Sequence, residues 1–356
     1  MSATLTVPLG SVFVSTASGP GHRALLAELA AHGQAASVWH GGLVRSSAEQ
    51  QRVPIGWAAQ VLPSATGVSV RRADLLGKAL GAHVRLRLSL AKEPVRVHFV
   101  NARTALRSGP FVASVLKASH VPLTLHGRWR PDEALLQIAH ADALHAVVSL
   151  TTPHCVSRPV MSLHPGGQVG LARGDERHDE LSSASAKLLH AELHLGRRIV
   201  AGERVLDLGC SPGSWSAVAV ARGAVVDGVD RGVPELVHER FVFHRADART
   251  FAAPPDTFDW LLCDMVDDVA GIHALAERWL SPASPLGNTD RPLHFVITVK
   301  HRDPVAEASQ AVALARAAAQ WCGNGRGVVG MRHLAAANTS NELTLFGIVF
   351  PKLKER

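Results

Sequence analysis

The chain has 356 residues, 47% hydrophobic and 19% charged, the make-up of an ordinary globular protein with room for two domains. It has no run of eighteen uncharged apolar residues, its first residues "MSATLTVPLGSVFVSTASG" lack a basic leader region, and Cys155, Cys210, Cys263 and Cys322 form no C-x-x-C pair, which argues against a membrane span, a secretory signal, a disulfide framework and a cysteine zinc site, and points to a reducing cytoplasm. The net charge of +7 is uneven: residues 1–165 hold 16 Lys+Arg against 7 Asp+Glu, the remainder 21 against 23, so a basic, polyanion-binding half beside a near-neutral half is expected.

In chain order, residues 1–60 suggest a strand "SVFVSTA", a helix "GHRALLAELAAHG" and a strand "AASVWHG". From 61 to 165, "HVRLRLSL" (83–90) alternates, with Val84, Leu86 and Leu88 opposite Arg85 and Arg87. "PVRVHFV" (94–100) alternates too, with Arg96 among its polar positions, so the two segments read as a β-hairpin. A helical stretch interrupted by Gly109-Pro110 follows, then "VPLTLHGRWRP" and "ALHAVVSLT". "HGRWRP" interleaves Arg128, Trp129 and Arg130, which suits base stacking with phosphate contacts, or equally a core tryptophan between exposed arginines. Residues 166–182 read as a linker of glycine, serine and charge.

Beyond residue 183 helices and strands alternate. Strands are expected at 204–209, 225–230, 241–247, 258–265, 292–300, 327–334 and 342–350, and helices at 183–198, 213–222, 267–280 and 303–322. Near-continuous apolar strands between helices predict a doubly wound, mostly parallel sheet that binds ligands at its carboxyl edge.

The first strand runs into "LDLGCSPGSW", where Gly209, Pro212 and Gly213 let the backbone approach a ligand at the start of a helix. The spacing matches neither a G-x-G-x-x-G dinucleotide loop nor a P-loop. Three successive strands end near carboxylates, Asp207, Asp230 and Asp247, which suit a cationic nucleoside with little phosphate. Asp207 and Asp230 also fit simple turn caps, and Trp215 either walls the pocket or joins the core. "HAELH" (190–194) and "HADALH" (140–145) lack a metalloprotease spacing, and no metal is expected.

"LDLGCSPGSW" together with "LLCDMV" resembles the FtsJ/RrmJ-type, S-adenosylmethionine-dependent RNA 2′-O-methyltransferases. "CDMVDDVAGIHALAERWL" (263–280) is similar to the RlmM-like subgroup, which methylates a cytidine ribose of 23S rRNA. The resemblance implies a Rossmann-like methyltransferase domain at 183–356. It also implies a smaller α+β RNA-binding half, with a ferredoxin-like unit at 1–60 and a THUMP-like unit at 61–165. Its cofactor is S-adenosylmethionine, held by Asp207, Gly209, Pro212, Gly213, Trp215, Asp230 and Asp247. Ser214 stands where the family often has a second glycine, narrowing the methionine end of the pocket.

The family's Lys-Asp-Lys-Glu tetrad maps onto Lys187, Asp264, Lys300 and Glu342, with Lys300 as general base and Lys187 as a neighbouring cation that lowers its pKa. A lysine ending the apolar strand "FVITVK" and an aspartate after "WLLC" are unusual without a role. Arg85, Arg87, Arg96, Arg128 and Arg130 are the expected RNA contacts, and the sequence leaves the oligomeric state open, with a monomer favoured over an assembly. The rival readings are methylation of another RNA, such as tRNA or a cap-like end, of a small molecule, or RNA binding without catalysis.

Overall fold

Apolar strands separated by turns and helices sort, in a computed structural model of the chain, into two mixed sheets, one in each of two compact units. The structure describes residues 4–15, 21–47, 53–89, 91, 93–101, 108–119, 124–125, 127–130, 132–155, 157, 161–165, 183–253, 258–284, 286, 291–323, 328–334 and 341–350. The expected linker at 166–182 lies outside them. Among the described residues no helix is long and apolar enough to cross a membrane, and all four cysteines are free thiols.

The first unit comprises residues 1–52 and 57–169. Its elements are β1 (Leu5–Ser15), α1 (Gly21–Ala31), β2 (Ala36–Val38), β3 (Val44–Ser46), β4 (Ala58–Ser69), α2 (Ala73–Leu88), β5 (Val95–Asn101), α3 (Ser108–Ser119), β6 (Thr124–Leu125), β7 (Ala134–Asp142) and β8 (His145–Thr151). The eight strands form one sheet in the order β2-β3-β1-β4-β8-β7-β5-β6. The boundary expected at residue 60 falls inside β4, which pairs with β1 on one side and β8 on the other.

The expected hairpin at 83–100 is not formed. Residues 83–88 continue helix α2, and only the second segment is a strand, β5, paired in parallel with β7. A longer helical repeat overrides the short alternation: Leu76, Leu80 and Val84 recur every four residues and are buried, whereas Leu86 is 60% exposed. Gly109 and Pro110 lie in the first turn of α3, where a missing proline N–H breaks no helical bond, so they start the helix rather than interrupt it.

The second unit comprises residues 53–56 and 170–356. It contains α4 (Ser183–Leu195), β9 (Arg204–Leu208), α5 (Ser214–Ala221), β10 (Val225–Asp230), β11 (Phe241–Arg245), β12 (Trp260–Cys263), α6 (Val269–Leu280), β13 (Leu293–Lys300), α7 (Ala308–Trp321), β14 (Val329–Arg332) and β15 (Glu342–Val349). The strand order is β11-β10-β9-β12-β13-β15-β14. The first five strands are mutually parallel, while β15 runs antiparallel to both β13 and β14. The strand order reverses between β9 and β12, so a crevice opens at their carboxyl ends. Leu188, Val205, Trp215, Val226, Trp260 and Val296 belong to one buried cluster that joins α4 and α5 to the sheet.

Candidate active site

The loop after β9 is shaped by Gly209. Its φ is +75°, and a β-carbon there would lie 2.4 Å from Met265 Cγ, so a side chain is barred both by backbone and by space. The Gly209 N–H donates to the Val229 carbonyl at 2.8 Å, tying the loop to the end of β10. Asp230 at that end accepts from Ser211 N–H at 3.0 Å and from Gly232 N–H at 2.8 Å. One carboxylate thus fixes the loops on both sides of it and still has lone pairs for a ligand.

A cleft of about 240 Å³ lies there, lined among others by Gly209, Asp230, Asp247, Asp264, Met265 and Val266. Asp247 accepts from Arg249 N–H at 2.9 Å, a bond that, with the Arg249 charge, holds its pKa below the ordinary value. Arg249 also reaches Asp267 at 2.5 Å, bridging the loops after β11 and β12. Three carboxylates on one cleft favour a cationic ligand over a polyphosphate.

The structure separates the remaining expected cofactor residues from this lining. Asp207 is 1% exposed within β9 and accepts from Ser216 Oγ at 2.6 Å. Burial pushes its pKa up to about 6, against the Ser216 hydrogen bond and with help from the Asp264 charge. Pro212 and Gly213 lead into α5, with Gly213 as its N-cap. Trp215 does not wall the cleft: it is 3% exposed in the core cluster, and its indole N–H donates to the Ala184 carbonyl at 2.6 Å. A large aromatic at the second position of a helix that faces the sheet gains most from burial in that core. Its hydrogen bond nevertheless fixes α4, the helix that carries Lys187.

Lys187, Asp264, Lys300 and Glu342 come together in one cluster. Lys187 Nζ lies 3.0 and 2.8 Å from the two Asp264 oxygens and 2.9 Å from Glu342 Oε1. Lys300 Nζ lies 3.2 Å from Asp264 Oδ1, the oxygen that Lys187 also reaches. Strand register explains the meeting of such distant residues: Lys300 ends β13 directly opposite Glu342, the first residue of β15. Side-chain exposure rises outward, from 4% at Glu342 and 8% at Lys187 to 18% at Asp264 and 30% at Lys300. Burial pulls the Lys187 pKa down, but the Asp264 and Glu342 carboxylates outweigh it and hold the ammonium above its ordinary value. Lys187 is therefore a fixed cation at neutral pH.

The expected RNA contacts are scattered. Arg85 and Arg87 lie on helix α2, where Arg85 donates to the Ala118 carbonyl and Arg87 to Thr66 Oγ1. Arg96 is not a free surface cation: it makes two 2.6 Å bonds to Glu133, and both side chains are only 11% exposed. Arg128 and Arg130 are exposed on either side of Trp129, which is 1% exposed and donates to the Glu133 carbonyl at 2.7 Å. The tryptophan is core, and its arginines are the accessible part of "HGRWRP".

Reading the sequence missed Ser216, Arg249, Met265 and Val266. Only the last two carry a local signal, since they directly follow Asp264.

The FtsJ-like methyltransferase family matches residues 181–323. Among curated relatives, the ribosomal RNA large subunit methyltransferase M of Edwardsiella ictaluri is 42% identical over 86 residues, 23% of this chain and 23% of that protein. The protein of that name from Halorhodospira halophila is 39% identical over 95 residues, 26% of this chain and 28% of its own. The matched segment thus spans about a quarter of those relatives' length. Among solved structures, TrmN from Thermus thermophilus aligns over 96% of this chain and 99% of its own at 17% identity and a TM-score of 0.31. A 1,6-didemethyltoxoflavin-N1-methyltransferase from Burkholderia thailandensis, solved with S-adenosylhomocysteine, covers 49% of this chain and 80% of its own, with 17% identity and a TM-score of 0.34. The chain carries an FtsJ-like methyltransferase domain, of the S-adenosylmethionine-dependent class.

Proposed function

We propose that this methyltransferase domain transfers a methyl group from S-adenosylmethionine to a ribose 2′-hydroxyl of RNA, with a cytidine of 23S rRNA as the target. The observation that carries the reading is Asp264, which lines the acidic cleft and at the same time holds both lysines through one oxygen. That carboxylate joins a cofactor site to a proton-handling site.

Asp230 and Asp247 suit the hydroxyls and amino group of a nucleoside, and the acidic lining suits a cationic sulfur. The bound cofactor supplies a methyl group on that sulfur, which departs as a neutral thioether. Lys187, buried and doubly paired, holds the 2′-oxygen and stabilises the negative charge that develops there. Lys300, the outermost member, is the group that takes the hydroxyl proton. Asp264 and Glu342 keep the two nitrogens in position, and much of the rate comes from this alignment. Arg85, Arg87, Arg128 and Arg130, with the THUMP-like reading of residues 61–165 and the ferredoxin-like reading of residues 1–60, supply sequence-independent phosphate contacts in the basic half. The similarity to ribosomal RNA large subunit methyltransferase M supports an rRNA-processing role.

The test is transfer from methyl-labelled S-adenosylmethionine to total RNA lacking the modification, followed by nucleoside analysis. Label in 2′-O-methylcytidine of the large rRNA is the expected result. Label on a base overturns the tetrad's role. Label on tRNA or a capped end overturns the target alone. Cofactor binding without any transfer to rRNA favours an RNA-binding protein that lacks catalysis.

A further inference from the structure

The first unit gathers three side chains that the methyl-transfer reading does not use. His40 opens a single helical turn, His40–Gly42, between β2 and β3. Asp142 ends β7 and His145 begins β8, across a tight turn closed by Leu144 N–H donating to Asp142 Oδ1 at 2.9 Å. The two segments touch through their backbones. A β-carbon on Gly41 would lie 2.0 Å from the Ala141 carbonyl oxygen, so only glycine permits the approach.

His145 Nδ1 lies 2.7 Å from Asp142 Oδ1, and His40 Nδ1 lies 3.9 Å from Asp142 Oδ2. The imidazole rings stack with centroids 3.4 Å apart and planes 5° from parallel. Trp39 stands edge-on to both rings, at 4.8 and 5.8 Å, and walls one side. One donor atom from each of the three residues lies within 4.8 Å of the others. His40 and Asp142 are 47% and 40% exposed, so an ion can reach them, while His145 is 18% exposed and anchored.

Two imidazoles and a carboxylate form an N₂O donor set suited to zinc-class transition metals. A tetrahedral ion with bonds of ~2.0–2.1 Å spaces its donors about 3.4 Å apart. The observed nitrogen–oxygen distances of 2.7 and 3.9 Å fall on either side of that spacing, and turning the two rings about their side-chain bonds brings the donors to it.

We propose that His40, Asp142 and His145 form a binding site for a divalent zinc-class transition metal, with a remaining coordination position open to water. Imidazole lone pairs lie in the ring plane, so coordination fans the two rings out of their stack. The bound ion fastens the 40–42 turn to the β7–β8 turn. The site lies in the unit that carries none of the Lys187, Asp264, Lys300 and Glu342 cluster. "HADALH" holds two of the three ligands, but the histidine partner of His145 is His40 rather than His140, whose ring stacks on Phe111 at 4.0 Å.

The experiment titrates full-length, chelator-treated protein with Zn²⁺ by calorimetry and with Co²⁺ by visible absorption, alongside thermal melts. Wild type is expected to bind one equivalent, to develop visible cobalt bands, and to melt higher with zinc. Asp142→Asn, which keeps the side-chain shape, and His40→Ala are each expected to weaken zinc by at least about tenfold and to abolish the shift in Tm. The double variant His190→Ala/His194→Ala, which removes the histidine pair on α4, is expected to retain that equivalent. Circular dichroism identifies any variant that fails to fold; His145→Gln then replaces it. Equal binding by wild type and the site variants, or no binding by wild type, overturns the site and leaves a hydrogen-bonded histidine stack.

Discussion

Two charged clusters of this protein have balanced charges and different designs. Arg96 and Glu133 form a closed pair in the first unit: two 2.6 Å bonds, two 11% exposed side chains, one cation for one anion. The Arg96 hydrogen bonds, working against desolvation, hold the Glu133 pKa below its ordinary value. The cluster of Lys187, Asp264, Lys300 and Glu342 is open instead. Asp264 is shared by two lysines, and burial falls steadily toward Lys300 at the outer end. A closed pair serves stability, because two parallel charge-assisted bonds and burial commit each charge to the other. A graded cluster beside a cleft keeps its outermost group available to a substrate.

The largest expected effect tests that difference. Lys300→Ala is expected to lower single-turnover methyl transfer by about 10²–10⁴-fold, the usual contribution of a general base. Cofactor affinity, measured by calorimetry, should stay within about threefold. Unchanged transfer would remove Lys300 from the chemistry and leave the cluster as structural as the Arg96 pair. In the closed pair, Glu133→Gln leaves Arg96 buried without its counter-charge and is expected to cost about 3 kcal/mol in urea unfolding, with cofactor affinity unaffected. Loss of cofactor binding at full stability would break the assignment.

A third effect concerns Asp207, which is buried in β9 within reach of the Asp264 and Asp230 charges. Its folded pKa of about 6 exceeds the ordinary aspartate value of 3.8, so the folded chain binds this proton more tightly than the unfolded chain. Its contribution is therefore most favourable below pH 4 and is lost as pH rises to about 6. Asp207→Asn keeps an acceptor for Ser216 and is expected to stabilise the cofactor-free protein at pH 7.5 by about 2 kcal/mol, with no gain near pH 4. Melts at the two pH values measure it, and an equal change at both would place the effect outside ionisation.

The smallest effect is at Trp215. Trp215→Phe removes the hydrogen bond to Ala184 and is expected to cost about 1 kcal/mol of stability, with cofactor affinity within about twofold. A tenfold loss of affinity at unchanged stability would return the indole to the pocket.

Much of the second unit was legible in the sequence because its strands are short, apolar and separated by helices. All seven expected strands and all four expected helices are present there, and Asp230, Asp247 and Asp264 lie on one cleft. Strand ends in a parallel sheet share one edge, so a residue's place in its strand already foretells its place in the crevice. Local pattern also determined the glycine loop, whose backbone must approach Met265 closely at Gly209. Tertiary structure alone decided the partnerships. The "HVRLRLSL" segment alternates like a strand, yet the repeat of Leu76, Leu80 and Val84 makes it helical when α2 packs on its core. Arg96 resembled an exposed cation until Glu133, 37 residues later, closed on it. Lys187 and Glu342 gave no local sign of a role, and their meeting rests on the antiparallel register of β13 with β15 and on the seating of α4. His40 and His145, 105 residues apart by their numbering, stack only because two turns meet at Gly41. Periodicity records which face of an element is buried; it carries no record of which distant side chain that face will meet, because pairing follows from the packing of whole elements.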